Sequence, residues 1–257
     1  MTEIPHGLIK GVVLSRYDWT DRLFSLYVEA PIDAYTAGQF TKLALPDGSG
    51  GWVRRAYSIV NNPKQAIGHQ HMEFLIIADD LGELSPRLHR LNSGDDVFVG
   101  KDAAGFMTLD EVPVHVDDLW LLSTGTAIGP FISLLETPSL ETRFKNIILV
   151  HAVRTHAELI YHDRIQRLLH RFNRRLHYVP IVSREHVTGT LRGRIPSLLL
   201  NGSIEKQTQC PLNKAHSFLY LCGNPCMVKD TASALNELGF QKHLRKKSGQ
   251  FSSENYW

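Results

Sequence analysis

The sequence predicts two domains, an antiparallel β-domain followed by an α/β domain with a parallel sheet. Its 257 residues approach the size at which a single core gives way to two. Up to about residue 101, short strand-like runs are separated by turn residues, whereas after residue 118 short apolar runs alternate with segments of helical period. A composition of 43% hydrophobic and 21% charged residues is typical of a globular protein and excludes a wholly disordered chain.

The first half contains six strand candidates of similar length. They are residues 8–14, 23–28, 39–45, 54–60, 72–78 and 96–100. Strands this short, separated by turn residues such as Pro31 and Gly82, favour an antiparallel barrel or a sandwich. One short helix is expected at residues 84–91, and residues 102–118 form the expected linker to the second half.

The second half alternates strand and helix candidates. The strands are residues 119–123, 146–151, 176–182 and 218–222. The helices are residues 130–136, 159–171, 195–201 and 227–238, and Gly239 closes the last one. This alternation predicts crossover connections and a parallel sheet.

Charge and cysteine content limit the partners and the compartment. With 28 Lys and Arg against 26 Asp and Glu, the net charge is +2, which predicts no nucleic-acid partner. The three cysteines, Cys210, Cys222 and Cys226, lack Cys-x-x-Cys spacing, so we expect no metal site and a reducing, cytoplasmic compartment. The most apolar stretch, residues 119–135, is interrupted by Gly129 and Pro130, so we expect no membrane insertion.

Unusual residues follow each predicted strand of the second half. Ligands of an open parallel sheet gather at the carboxyl ends of its strands, where turn amides meet anions. The first strand runs into a glycine-containing turn at residues 124–130, which allows close backbone approach. The fourth runs into a second turn at residues 222–225.

Arginines follow the two remaining strands. Arg154 comes after the second strand, and Ser183, Arg184 and Arg194 come after the third. Three guanidinium groups at one edge suit a dinucleotide that carries a 2′-phosphate, since a free ribose hydroxyl would favour an acidic residue. We therefore expect NADPH rather than NADH.

A second candidate site lies in the first half, within residues 54–58. An arginine there can hold a pyrophosphate, Tyr57 can stack on a flat heterocycle, and Ser58 can form a hydrogen bond with its edge. Adjacent side chains of an ideal strand face opposite ways. Tyr57 and Ser58 can therefore reach one ligand only if the strand bends or ends there.

Four motifs together carry a resemblance to a known family. They are Arg55-Ala56-Tyr57-Ser58, Thr124-Gly125-Thr126-Ala127-Ile128-Gly129-Pro130, Cys222-Gly223-Asn224-Pro225-Cys226-Met227 and the terminal Glu254-Asn255-Tyr256-Trp257. In this order, over nearly the whole chain, they resemble bacterial ferredoxin (flavodoxin)–NADP reductases. The resemblance implies an antiparallel β-barrel FAD-binding domain at residues 1–101 and an α/β NADP-binding domain at residues 119–257, whose tail returns to FAD. It also implies electron exchange between NADPH and ferredoxin or flavodoxin.

The resemblance implies roles for individual residues around FAD. Arg55 would meet the FAD phosphates, Tyr57 would pack against the isoalloxazine, and Ser58 would lie near its reactive N5. Further FAD contacts would come from Ala56, Ile76, Ile77, Glu83, Leu84, Ser85 and Thr126. Since Glu83 is acidic and the pyrophosphate is anionic, its expected contact is through the backbone.

The resemblance also implies which residues hold NADP and what the residues at the chain terminus do. NADP would be held by Arg154, Ser183, Arg184 and Arg194, with Arg184 and Arg194 at the 2′-phosphate. Cys222 would lie near the nicotinamide, Tyr256 would cover the isoalloxazine, and Trp257 would lie near the adenine. Ser58, Cys222 and Tyr256 are thus the candidate catalytic residues. The turn at residues 124–130 departs from the shorter Gly-Thr-Gly form common in the family.

Two other functions fit the same fold. One is an NAD(P)H-dependent flavin or oxygenase reductase, and the other is a non-catalytic flavin-binding subunit of an electron-transfer complex. A basic cluster near the terminus favours the ferredoxin (flavodoxin)–NADP reductase instead, because it could attract an acidic ferredoxin or flavodoxin. The cluster consists of Lys242, Arg245, Lys246 and Lys247.

Overall fold

The computed structural model describes residues 3–138, 140–244 and 246–255. It divides into two compact units. The first unit comprises the residues up to Leu109 together with Gly129–Thr137, and the second comprises Asp110–Ile128 and the residues from Pro138 onward. The domain boundaries expected from the sequence stay a prediction.

The first unit is built on a six-stranded antiparallel sheet. Its strands are β1 (Leu8–Asp18), β2 (Leu23–Glu29), β3 (Phe40–Pro46), β4 (Trp52–Ser58), β5 (His71–Ile77) and β6 (Asp96–Gly100), in the order β4-β3-β6-β1-β2-β5. Ile59, just after β4, forms a bridge with Phe74 of β5, so the two outer strands approach each other in a barrel-like arrangement. This confirms the predicted antiparallel barrel domain.

The core of the first unit lies on one face of the sheet. Large side chains such as Phe24, Leu26 and Phe74 are completely buried there, each worth about 1.5–3 kcal/mol relative to exposure. Helix α1 (Ser85–Leu88) is shorter than the expected 84–91. One turn is enough to bury both Leu84 and Leu88 in this core.

Helix α2 (Gly129–Leu135) also belongs to the first unit, although the sequence placed it in the second half. Asn62 Nδ2 donates to Ser133 O at 3.1 Å, and Ser133 Oγ donates to Asn61 O at 3.0 Å. A Cβ at Gly129 would lie 3.0 Å from the Val60 side chain. These contacts connect α2 to the segment that follows β4.

The second unit is built on the predicted parallel sheet. Its strands are β7 (Asp118–Thr124), β8 (Asn146–Val153), β9 (Leu176–Val182), β10 (Ser217–Gly223) and β11 (Phe251–Asn255), in the order β11-β10-β7-β8-β9. β11 was not predicted, because its sequence is polar and Phe251 is its one buried residue. No helix within the described ranges is long and apolar enough to cross a membrane.

The helices of the second unit agree with the predicted alternation. They are α3 (His162–Phe172), α4 (Ile195–Leu200), α5 (Ser203–Thr208) and α6 (Pro225–Glu237). The helix expected at 159–171 begins later, at His162, because Tyr161 has a left-handed φ of +62°. α5 was not predicted, whereas Gly239, at φ +83°, follows α6 as expected.

The register of the parallel sheet aligns the residues near its carboxyl edge. Cys222 of β10 lies opposite Ser123 of β7, Ser123 lies opposite His151 of β8, and His151 lies opposite Pro180 of β9. The turns that follow these strands therefore begin within one residue of the same level.

Gly38 provides a test of the packing in the first unit. Its φ is +93°, and a Cβ there would lie 2.0 Å from the Met107 carbonyl oxygen and 3.1 Å from Leu134. Gly48 has a similar φ of +88° and open space around it. We expect Gly38→Ala to lower the free energy of unfolding by about 3 kcal/mol or more, and Gly48→Ala by only about 1–2 kcal/mol. Urea unfolding of both variants measures the difference, and equal losses would contradict the packing described.

Candidate functional site

The first candidate site lies at the end of β4. Arg55 and Ala56 are exposed, Tyr57 is half-buried against the core, and Ser58 is buried. β4 ends at Ser58, which satisfies the condition under which Tyr57 and Ser58 can serve one ligand. Burial raises the pKa of Tyr57 to about 12, although the charge of Arg55 opposes the shift. The Tyr57 hydroxyl is therefore protonated at neutral pH.

Arg55 forms an exposed ion pair with Glu83. The distance from Arg55 Nη2 to Glu83 Oε2 is 3.5 Å, and Arg55 Nη1 also donates to the Arg54 carbonyl at 2.9 Å. Exposed ion pairs contribute about 1 kcal/mol at most, so this pair can open for a stronger anion. The ion pair with Glu83 therefore leaves the Arg55 guanidinium available to a stronger anion.

The other residues predicted for this site contribute differently. The side chains of Ile76 and Leu84 are buried in the core, so only their backbone can meet a ligand, whereas Ile77 is partly exposed. Ser85 Oγ accepts a hydrogen bond of 3.1 Å from the Asp79 amide and so closes the loop that carries Glu83. The sequence analysis missed a cavity of about 460 Å³ in this unit, which no periodic pattern signals. Its lining residues include Trp52, Asp80, Glu83, Arg87 and Arg90.

The second candidate site lies at the carboxyl edge of the parallel sheet. After β7 the chain makes a 3₁₀ turn, Gly125–Ile128, in which Gly125 has a φ of +56° and Thr126 is partly exposed. Thr124 Oγ1 accepts a hydrogen bond of 3.1 Å from the Asn224 amide. A Cβ at Gly223 would lie only 2.1 Å from that oxygen, so glycine is required there.

Asn224, whose amide binds Thr124, also contacts the first turn of α6. Its Oδ1 accepts a hydrogen bond of 2.9 Å from the Cys226 amide and so caps the helix. The two glycine turns predicted from the sequence are therefore joined by one hydrogen bond. The sequence analysis did not assign this role to Asn224, although its place directly before Pro225 is typical of an N-cap.

The ends of β8 and β9 bring the predicted NADP residues together. The Arg184 amide donates to the Arg154 carbonyl at 2.9 Å. Ser183 donates to the Val153 carbonyl through both its amide, at 3.0 Å, and its Oγ, at 3.1 Å. Arg154 and Arg184 thus leave adjacent strand ends, and both are exposed.

Arg194 follows a loop that folds back onto β9. The Val182 amide donates to the Leu191 carbonyl at 2.9 Å, which brings the chain back to the end of β9 three residues before Arg194. Arg192, which was not predicted as a site residue, lies in this loop with its Nη1 2.5 Å from His186 Nε2. Its place in the sequence, two residues before Arg194, is the signal that could have identified it.

Cys222 and His151 are buried, and both belong to the row of aligned residues near the carboxyl edge of the sheet. Burial, assisted by the charge of Glu254, raises the pKa of Cys222 well above its usual range, so its thiol stays neutral. Burial lowers the pKa of His151 to about 4, and its hydrogen bond with Gly125 O opposes this shift only in part. The imidazole is therefore neutral at physiological pH.

The predicted residues Tyr256 and Trp257 lie outside the described residues. The preceding strand, β11, pairs with β10 in parallel and ends at Asn255, which lies opposite Gly223. Their expected contacts with FAD stay a prediction.

Comparison with known proteins agrees with this arrangement. Residues 121–233 match a family model described as an oxidoreductase NAD-binding domain. The chain is 47% identical to the flavodoxin/ferredoxin–NADP reductase of Escherichia coli (strain K12), over 97% of this chain and 98% of that protein. It is 32% identical to the ferredoxin–NADP reductase of Pseudomonas aeruginosa, over 89% of each chain. A ferredoxin–NADP⁺ reductase from Neisseria gonorrhoeae, solved with bound FAD and NADP, has a TM-score of 0.89 and 31% identity, over 98% of this chain and 99% of that one. The chain belongs to the flavodoxin/ferredoxin–NADP reductase family.

Proposed function

We propose that this protein exchanges electrons between NADPH and a ferredoxin or flavodoxin through FAD. One observation carries the proposal: the chain combines the strand end at residues 55–58 with an arginine-lined edge of a parallel sheet. The first suits a flavin and its pyrophosphate, and the second suits a nucleotide with an extra phosphate. The names of the related reductases, and the FAD and NADP bound in the Neisseria structure, support the same function.

The residues at the end of β4 fit FAD by their chemistry. Arg55 supplies a cation, and its anionic neighbour, the exposed Glu83, is a weak competitor for a pyrophosphate. Tyr57 offers an aromatic ring whose hydroxyl is neutral, and Ser58 offers a hydroxyl at the strand end for the edge of the isoalloxazine. Ala56, Ile76, Ile77, Glu83, Leu84 and Ser85 complete this site, with Ile76 and Leu84 acting through their backbone. FAD, when bound, accepts two electrons as hydride and releases them one at a time.

The residues at the edge of the parallel sheet fit NADPH. Arg154, Ser183, Arg184 and Arg194 hold the nucleotide, and Arg184 and Arg194 bind its 2′-phosphate. Thr126 lies in the turn that extends this edge, and its side chain contributes to FAD. Because the Cys222 thiol is neutral, it lines the nicotinamide site as a small, uncharged group rather than as a thiolate.

The terminal residues, the partner and the compartment complete the proposal. Tyr256 covers the isoalloxazine and moves aside for the nicotinamide, while Trp257 lies near the adenine. Exposed Lys242, Lys246 and Lys247 attract an acidic carrier protein. Three free thiols are consistent with a cytoplasmic protein, and we propose no nucleic-acid partner and no membrane insertion.

Turnover with a protein carrier tests the function. The purified protein with FAD should oxidise NADPH only when flavodoxin, ferredoxin or an electron-accepting dye is present. Free flavin in place of the carrier is the control that detects a flavin reductase. Faster turnover with free flavin than with either carrier would contradict the proposal, and so would the absence of NADPH oxidation with every acceptor.

The FAD role of Arg55 can be tested against its neighbour. We expect Arg55→Ala to weaken FAD binding about ten- to hundredfold, because a hydrogen bond to a charged group contributes about 1.5–3 kcal/mol. Arg54→Ala is the matched control, since its side chain leaves the opposite face of β4. Fluorescence titration of the apoprotein with FAD gives both affinities. Equal affinities of the two variants would refute the assignment.

The arginines of the nucleotide edge should discriminate between the two nicotinamide nucleotides. In Arg184→Ala combined with Arg194→Ala, NADPH affinity should fall by about tenfold or more while use of NADH barely changes, because only NADPH carries the 2′-phosphate. Arg167→Ala combined with Arg174→Ala removes the same charge elsewhere and should leave both nucleotides unaffected. Steady-state kinetics with a dye acceptor measure this. An equal loss for NADPH and NADH would place these arginines in another role.

The exposed lysines near the terminus should influence the rate of association with the carrier. Changing Lys246 and Lys247 to Glu should slow reduction of an acidic carrier at low salt, and the defect should shrink as salt screens the charges. Reduction of a small neutral dye is the internal control and should not change. A defect that is independent of salt, or equal with the dye, would exclude electrostatic attraction as the cause.

A further inference from the structure

His151 makes a contact that the proposed binding roles do not use. It lies in β8, is 1% exposed, and its Nε2 lies 3.1 Å from the carbonyl oxygen of Gly125. Because a carbonyl only accepts, Nε2 must carry the proton and donate it. The bond joins the interior of the sheet to the first residue of the 3₁₀ turn Gly125–Ile128.

The geometry of the peptide unit gives this bond a consequence at the surface. In a trans peptide the carbonyl of one residue and the amide N–H of the next point in opposite directions. The Gly125 carbonyl points inward to the buried imidazole. The Thr126 N–H therefore points away from the interior, toward the carboxyl edge of the sheet. It is also among the first amides of a helical turn, which have no acceptor within that turn.

Gly125 makes such an anchor necessary. Its φ of +56° is a conformation that glycine adopts readily, and there is open space where a Cβ would lie. A glycine with no neighbouring side chain can rotate its peptide plane easily, which would turn the Thr126 amide away. Thr124, on the other side, is already held through its bond with the Asn224 amide. The hydrogen bond from His151 fixes the remaining free rotation.

A role in stability alone explains His151 poorly. Its second nitrogen, Nδ1, is buried and has no hydrogen-bond partner among the residues that the structure describes. A buried polar atom without a partner destabilises the folded state, so an apolar side chain of similar size would suit the core at least as well. The burial that keeps the imidazole neutral also keeps the proton on the nitrogen that faces Gly125.

We propose that His151 is a positioning residue, which holds the Gly125 carbonyl so that the Thr126 amide is aimed at a phosphate of the bound nicotinamide dinucleotide. This inference rests on the proposed function, because it takes the carboxyl edge of the sheet as the nucleotide site. The role of the turn differs from the roles of Arg184 and Arg194 in one respect. The turn serves the pyrophosphate that NADPH and NADH share, whereas the arginines serve the 2′-phosphate.

Two variants of the FAD-loaded protein separate positioning from packing. His151→Leu removes the donor and keeps an apolar side chain of similar volume. His151→Gln keeps an amide donor at about the distance of Nε2. KM and kcat are measured for NADPH and NADH with a dye acceptor, NADP⁺ binding is measured by calorimetry, and urea unfolding is measured for each variant.

We expect His151→Leu to raise KM by about tenfold for both nucleotides, with a parallel loss of NADP⁺ affinity. His151→Gln should restore both to within about threefold of the parent. The urea midpoint of His151→Leu should not lie below that of His151→Gln. Unchanged KM and NADP⁺ affinity in folded His151→Leu would overturn the proposal, and so would a failure of His151→Gln to restore them at equal stability.

His151→Asn covers the case in which the leucine variant does not fold. Its amide is too short to reach the Gly125 carbonyl, so it should bind NADP⁺ about tenfold more weakly than His151→Gln does. Equal binding by these two variants would overturn the proposal. If the parent binds NADP⁺ without oxidising NADPH, the proposed function fails, while the binding comparison still decides the role of His151.

Discussion

The register of the parallel sheet is the constraint on which the nucleotide edge depends. Backbone pairing places Cys222, Ser123, His151 and Pro180 in one row across four strands. The turns after those strands therefore begin within one residue of the same level. The bond from Asn224 to Thr124 and the bond from Arg184 to Arg154 can form only because of this alignment. A shift of one strand by one residue would turn its side chains to the other face and separate these contacts.

The antiparallel unit places its functional residues in a different way. There the important feature is where a strand ends. β4 stops at Ser58, so Tyr57 and Ser58 are no longer bound to opposite faces as they would be within a strand. Arg55 is still on the strand, and its guanidinium is held by the exposed Glu83. The acidic residue that looked unfavourable beside a pyrophosphate thus forms only a weak, exposed ion pair with the arginine.

Much of the architecture and of the candidate site could be predicted from the sequence. Apolar runs long enough to cross a buried sheet identified β7 to β10, and glycines next to strand ends marked the two turns that the structure joins. β11 could not be predicted, because an edge strand with one buried residue, Phe251, has no apolar pattern. The late start of α3 depends on the left-handed φ of Tyr161, which no residue preference indicates.

The contacts between distant residues were the least predictable part of the site. The sequence gives no sign that Glu83 faces Arg55 or that His151 faces Gly125, since both pairs depend on tertiary packing. Arg192 was missed for a different reason. A surface arginine is usually solvated, and only the return of the loop through Leu191 brings this one near the end of β9.

Electron transfer from NADPH into protein-bound FAD is the central claim, and one absorption experiment tests it most directly. The protein is purified with its bound flavin, its visible spectrum is recorded without oxygen, and NADPH is then added in stoichiometric steps. The proposed function predicts a yellow protein whose flavin bands bleach as NADPH is added. A colourless protein, or flavin bands that persist in excess NADPH, would contradict it.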